Sequence, residues 1–365
     1  MKIKTLVITV AVLAALSVLA FLKNRPESAQ PGDARVGKPV LDSDTAQRAA
    51  SITVADQGKQ VTVSKAADGA WTVTSYYGLP ADFEKVSRLV QDLNEAKIER
   101  FVTDNPERMS RLGFKDSVIT LADGGGKPIW TLTLGKAPDS GNGRFLRFGD
   151  EQKAYLSGTS VWLDTDPKAW ANAQLVTVKP DEVARVEIPL GGRTVVLTRP
   201  KKDAPWSAEG GPAGEKLLQE KAASILSTLT SLRFSETADV KDPAAAAARQ
   251  HERTIKFTTF GGRETTVTLA RRPEVKKLRA PTKEESKEAL ASLAKVDEAK
   301  EPAKLVEPEF DTTPAGPVFV SVTSSDAKDP VNSMMAKRAF EADDYVFTSL
   351  PDKDADLFEA AKPAK

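Results

Sequence analysis

Apolar and polar residues follow three different patterns along the chain, and each predicts a different element. The first is a continuous run. Thr5 to Leu22, TLVITVAVLAALSVLAFL, carries no charge. Eighteen such residues in a helix rise about 27 Å, close to the hydrocarbon thickness of a bilayer. The run therefore predicts a transmembrane helix within residues 1–22. Lys2 and Lys4 precede it, and Lys23 and Arg25 follow. A very short basic N-terminus favours that end inside and the bulk of the chain outside. A cleaved signal peptide is the alternative, with Val18-Leu19-Ala20 as the cleavage site. Continuation of the run through Phe21 and Leu22 favours an uncleaved anchor. Residues 23–48 hold Pro26, Pro31, Gly32, Gly37 and Pro39 among few apolar residues, the composition of a flexible spacer.

The second pattern is period two. Ile52-Thr53-Val54, Gln60-Val61-Thr62-Val63 and Ala70-Trp71-Thr72-Val73 alternate as half-buried strands do, with turns at Gly58 and Asp68-Gly69. The third is helical. Phe83, Val86, Val90 and Leu93 form one stripe of a helix near Ala81 to Ala96. Strands then resume at Val118 to Leu121, Trp130 to Gly135, Phe145 to Phe148 and Ala154 to Ser157, after a loop at Arg111-Leu112-Gly113-Phe114.

The same order recurs further on. Val183 to Ile188 and Thr194 to Leu197 form a hairpin, and Trp206 stands where Trp71 stood. A helix from about Glu215 to Leu232 carries Leu218, Ala222, Ile225, Leu229 and Leu232 on one face. Strands follow at Thr254 to Phe257, Thr265 to Leu269, Val318 to Val322 and Tyr345 to Thr348. This predicts two tandem units, residues 49–178 and 179–352, packed to bury more surface than either buries alone. An insertion at 273–316, rich in Lys, Glu, Ala and Pro, interrupts the second unit. Its composition predicts a segment without regular structure or one marginal exposed helix, with a partner-docking arm as the functional alternative. Residues 353–365 form a charged, frayed tail. The fold class is thus α+β: an N-terminal transmembrane helix, then two antiparallel-sheet units, each with one packed amphipathic helix.

Composition narrows the chemistry. The 365 residues are 40% hydrophobic and 28% charged, enough for folded cores. The 52 basic and 51 acidic residues nearly cancel, so bulk charge gives no reason to expect a nucleic-acid partner. The absence of cysteine excludes disulfides, thiolate metal sites and thiol nucleophiles. With one histidine, His251, a multi-histidine metal site is also excluded.

The remaining candidates are weak. His251, in Ala-Arg-Gln-His-Glu-Arg, reads as a solvated loop residue. Asp352, Asp354 and Asp356 alternate like the opening of a calcium loop. Leu357 occupies the glycine position of such a loop, however, and Pro363 that of its bidentate glutamate. Asp164 and Asp166 read as a turn or helix cap. Asp123-Gly-Gly-Gly-Lys127 lacks the spacing of a phosphate loop and joins two strands, and Gly141-Asn142-Gly143 is a turn. Five tryptophans have the chemistry to stack on sugars. Trp71, Trp130 and Trp206 fall in strand patterns and read as core anchors, whereas Trp162 and Trp170 follow the last strand of the first unit. No catalytic, cofactor-binding or metal-binding residue is assigned.

Taken together, Gly69-Ala70-Trp71-Thr72-Val73, the helix opening at Ala81-Asp82 with Val86, Leu89 and Leu93, and Arg111-Leu112-Gly113-Phe114 form a recognisable series. It continues with Leu132-Thr133-Leu134-Gly135, Phe145-Leu146-Arg147 and Ala154-Tyr155-Leu156. With the N-terminal anchor, this series resembles the domain-of-unknown-function 4340 family. The second unit resembles it only as a degenerate copy without a Leu-Gly-Phe counterpart. The resemblance implies a membrane-anchored, extracytoplasmic, non-enzymatic partner of an ABC-type export system, of the kind linked with gliding-motility components. It implies an inner-membrane location with the bulk in the periplasm, integral transporter subunits or other envelope proteins as partners, and no cofactor. The alternative expectation is a module that binds an envelope polymer such as cell-wall glycan.

Overall fold

In the computed structural model, which describes residues 33–158, 161–279, 287 and 310–359, the alternating segments form antiparallel strands. The fold is α+β, with antiparallel sheets and few helices. The chain divides into two units between Ala171 and Asn172, seven residues before the boundary the sequence suggests. The segment Thr5 to Leu22 lies outside the described residues. Among those that are described, no helix is long and apolar enough to cross a membrane.

The first unit is a nine-stranded sheet. It comprises β1 (Ser51–Asp56), β2 (Lys59–Lys65), β3 (Trp71–Val73), β4 (Leu79–Pro80), β5 (Ile98–Thr103), β6 (Val118–Ala122), β7 (Pro128–Leu134), β8 (Arg144–Phe148) and β9 (Ala154–Ser157). Their spatial order is β4-β3-β2-β1-β6-β7-β8-β9-β5. Ile52, Val54, Val61, Val63, Val73, Ile119, Leu121, Leu132 and Leu134 are buried, while Thr53 and Thr62 alternate with them and share a hydroxyl hydrogen bond of 3.1 Å. Helix α2 (Phe83–Glu95) buries Val86, Leu89 and Leu93. The Asp82 carboxylate caps it, accepting from Glu84 N and Lys85 N. Phe83, expected on the stripe, is exposed. At 100° per residue the row Val86–Leu89–Leu93 centres the buried face near Leu93, leaving Phe83 about 90° away.

Residues 33–48 correct the expected spacer. Leu41 is fully buried, and its N–H donates to Leu93 O at 3.0 Å; Val40 N donates to Ala96 O and Gly37 N to Ile98 O. Helix α1 (Ser43–Arg48) follows, capped by Asp42. Asp33 accepts from Lys153 Nζ at 2.9 Å and from the Tyr155 hydroxyl at 3.1 Å. Arg35 pairs with Glu151 and lies over the Phe148 ring. Proline and glycine in this stretch mark turns of a packed segment, with Val40 and Leu41 as its anchor.

The second unit contains β10 (Val183–Leu190), β11 (Arg193–Thr198), β12 (Ser207–Glu209), β14 (Glu236–Ala238), β15 (Glu252–Thr259), β16 (Glu264–Arg271), β19 (Val318–Ser324) and β20 (Ala339–Ala342) in one sheet. Its order is β12-β11-β10-β15-β16-β19-β20-β14. Matching β10 to β1 and proceeding in chain order reproduces the first sheet strand for strand from β3 to β5. Helix α4 (Gln219–Thr230) takes the place of α2 and buries Ala222, Ile225, Leu226 and Leu229. In each unit a short helix begins at proline after a capping side chain. These are α3 (Pro106–Ser110) after Asn105 and α5 (Pro243–Ala248) after Asp242. Each covers the other face of its sheet. The first does so with Met109, Leu112, Phe145, Ala154 and Leu156, the second with Ala245, Ala248, Ala270 and Phe319.

Other expectations are corrected here. The units hold more than one helix each, including α6 (Pro330–Lys337), which buries Val331 and Met334. Tyr345 to Thr348, expected as a strand, lies in helix α7 (Asp344–Thr348). Val346 within it and Leu350 just beyond it are buried and four apart, a helical spacing that four alternating residues disguise. Trp206 is buried but precedes β12. The tail is docked as far as residue 359, since β21 (Phe358–Glu359) pairs with β13 (Lys216–Leu217) and Leu357 and Phe358 are buried. The ends of the insertion form an exposed ribbon, β17 (Val275–Leu278) paired with β18 (Phe310–Thr313).

Candidate functional site

The loop that follows α3 shapes a cleft in the first unit. Asn105 caps α3 through Glu107 N and Arg108 N. The chain then turns at Gly113, whose φ of +72° lies in the left-handed region that glycine adopts without strain. This sends Leu112 beneath the loop, where its carbonyl accepts from Lys136 N at 2.8 Å. The loop lies flush on Gly135, so close that a Cβ there would stand 2.5 Å from Leu112 O and 3.1 Å from Phe114 Cε1. Arg147 lies over the Phe114 ring at 5.5 Å. Leu-Gly-Phe, Leu-Gly and Phe-Leu-Arg, separate in sequence, therefore meet in one packed cluster.

Beside this cluster opens a cleft of about 540 Å³. Gly113, Lys115, Asp116 and Ser117 form one wall, and Val161, Trp162 and Leu163 another. Asp56 and Arg144 also line it. Ser117 Oγ donates to Asp56 Oδ1 at 2.5 Å, and Arg144 Nε donates to Gly135 O at 3.0 Å. Trp162 is 87% exposed, yet its backbone is bracketed by buried Val161 and by Asp164. Asp164 pairs with Lys85 and accepts from Asp166 N at 3.0 Å. Burial would raise the Asp164 carboxyl, but Lys85 and the Asp166 N–H outweigh it and hold the group below the usual carboxylate range.

The other tryptophans are at least half-buried. Trp170 is 2% exposed, its Nε1 donates to Asp164 O at 2.9 Å, and Lys85 Nζ sits 5.0 Å from its ring. Trp170 thus fastens the end of the first unit to α2. Trp130 meets Phe148 edge to face, and Trp206 lies under Arg199. The structure therefore separates Trp162 from Trp170, which sequence alone treats alike.

The remaining candidates are dispersed. His251 is exposed beyond α5. Asp356 accepts from Asp352 N and Lys353 N, Asp354 pairs with Arg193, and Asp352 lies 3.7 Å from Arg253. Their carboxylates serve separate local partners. Asp123 accepts from Gly125 N and Lys127 N, closing its own turn. Among the described residues no group of three or more His, Asp or Glu converges as a metal site.

Compared with known families, residues 71–251 match the one described as Domain of unknown function (DUF4340). The chain carries a DUF4340 domain. The match runs from the first residue of β3 to the residue before β15, so it takes in α2, the Leu-Gly-Phe loop, the cleft residues from Gly113 to Leu163, and the second unit through α5. The resemblance on sequence rests mainly on the first unit, whereas the DUF4340 match extends well into the second. No curated protein and no solved structure matches the chain.

Proposed function

We propose that this DUF4340 protein is a non-enzymatic accessory subunit, tethered to the inner membrane by residues 1–22 with its folded part in the periplasm, that docks on integral subunits of an ABC-type export system. The tether rests on the uncharged run Thr5 to Leu22 and its flanking lysines. The observation that carries the docking role is the β17–β18 ribbon. All eight of its residues are exposed, and Leu278 and Phe310 form a directly opposed cross-strand pair, 67% and 51% exposed. A lone two-stranded ribbon is marginal in water, and exposed apolar pairs on such an element are what a protein partner covers. The edges of the two main sheets suit that role less well. β4, β12 and β14 are two or three residues long, and the 37–40 segment covers the start of β5.

The test is crosslinking in intact cells, purification in mild detergent and mass spectrometry of what accompanies the protein. Recovery of permease and ATPase subunits from the wild type, and their loss from the double variant Leu278→Ser/Phe310→Ser, is the expected result. Recovery of neither subunit sinks the reading. A second reading, an envelope-polymer binding module, is favoured by the exposure of Trp162.

A further inference from the structure

We propose that the cleft beside Trp162 is a carbohydrate site that takes a neutral hexopyranose chain. The inference deepens the polymer-binding reading and stands apart from the docking role, which rests on the ribbon in the other unit. Single exposed apolar side chains are ordinary on protein surfaces, so exposure alone decides nothing. Trp162 differs in two respects. It stands at the edge of a cleft whose volume is typical of small-ligand sites, about 300–1,000 Å³. Its backbone is also held on both sides, by buried Val161 and by the Asp164–Lys85 pair, so the indole is presented from a fixed support. A rigid aromatic plane of this kind binds with little loss of side-chain entropy.

The cleft's polar groups select the ligand class. Lys115 and Arg144 are matched by Asp56 and Asp116. An anion or a cation would meet both signs in the same space. A neutral polyol needs donors and acceptors together, and the two cations, two carboxylates and the Ser117 hydroxyl supply them. A hexopyranose with equatorial substituents has a flat C–H face for the indole and a rim of hydroxyls for the charged wall.

The test uses the full-length chain with 5-fluorotryptophan, in a detergent without a sugar headgroup, read by fluorine NMR. Substitution of Trp162 by Phe assigns its signal among the five tryptophans. The probes are three neutral tetrasaccharides: cellotetraose, the β-1,4-linked N-acetylglucosamine tetrasaccharide and maltotetraose. A saturable shift of the Trp162 signal with at least one of these probes is expected. Trp162→Ala should weaken binding roughly tenfold or more, and Lys115→Ala or Asp116→Asn severalfold. These side chains are exposed, so unchanged signals from the remaining tryptophans verify the fold. No response to any of the three probes, or wild-type affinity in Trp162→Ala, overturns the proposal. Binding of a tetrasaccharide without retention on insoluble wall material supports the site while removing the polymer-binding reading.

Discussion

Replacing Gly135 by alanine tests the packing logic of the first unit at one methyl group. No unusual backbone angle is at stake, because Gly135 is not among the positive-φ glycines. The effect is therefore steric. The added Cβ would meet Leu112 O at 2.5 Å, Phe145 Cβ at 3.0 Å and Phe114 Cε1 at 3.1 Å. Carbon and oxygen settle at about 3.4 Å or more, so the Leu112–Phe114 loop must retreat by nearly 1 Å. The nearest atom is a backbone carbonyl, which cannot rotate aside as a flexible side chain can. Overpacking of this kind costs about 1–3 kcal/mol. Lengthening of the Lys136 N–Leu112 O bond adds about 1 kcal/mol. The expected loss is about 2–4 kcal/mol in first-unit stability, measured by hydrogen exchange of first-unit amides and by urea unfolding. Gly124→Ala is the control: nothing lies within 4 Å of its Cβ and its φ is not positive, so a change within about 0.5 kcal/mol is expected. Because the loop also walls the cleft, Gly135→Ala should weaken tetrasaccharide binding as well. Gly135→Ala as stable as Gly124→Ala would refute the reasoning.

Three further outcomes follow from the same geometry. Leu93→Ala, at a fully buried position of α2, should cost about 2–5 kcal/mol by chemical denaturation. Burial raises the Asp33 carboxyl, but Lys153, the Arg35 N–H and Tyr155 outweigh it, so the group stays below the ordinary aspartate value of 3.8. Its stabilising effect is present above that value and lost as pH falls through the lower folded pKa, so Asp33→Asn should destabilise at neutral pH and converge with the wild type in acid. Burial, reinforced by the Asp33 charge, pushes the Tyr155 phenol up to about 12. Its contribution is complete below pH 10 and lost between 10 and 12, so Tyr155→Phe should remove a late step from an alkaline absorbance titration.

The repeat was legible because strand alternation and the two long helices are local signals. Ile52–Val54 and Val61–Val63 state their faces within a few residues; α2 announces itself as a helix in the same way, though the stripe read from Phe83, Val86, Val90 and Leu93 is rotated from the buried row Val86–Leu89–Leu93. What escaped was set by distant partners. Nothing near Asp33 announces Lys153 and Tyr155, and the tail gives only Leu357 and Phe358 as hints of its docking. Short helices such as α3 and α5 were legible after the fact, as Asn105-Pro106 and Asp242-Pro243, a capping residue followed by a proline. The site was half visible. Sequence singled out Trp162 but could not separate it from Trp170, because the difference lies in which ring Asp164 and Lys85 enclose. Lys115, Asp116, Ser117 and Arg144 carried no signal of their own, since their meeting depends on the turn at Gly113.

The β17–β18 ribbon also governs how the second unit tolerates its interruption. Nine residues separate Leu134 from Arg144 in the first unit, while forty-six separate Arg271 from Val318 at the equivalent junction. For a free chain that difference would raise the loop-closure cost of pairing β16 with β19 by roughly 1.4 kcal/mol. The pairs Val275–Thr313 to Leu278–Phe310 close the segment near its base. The junction seen by the sheet then shrinks to a few residues on either side. Changes of length between Leu278 and Phe310 fall on the ribbon and leave the β16–β19 register to Ala270–Phe319 and its neighbours. The insertion is in this sense insulated, free to vary in length without renegotiating the core that carries it.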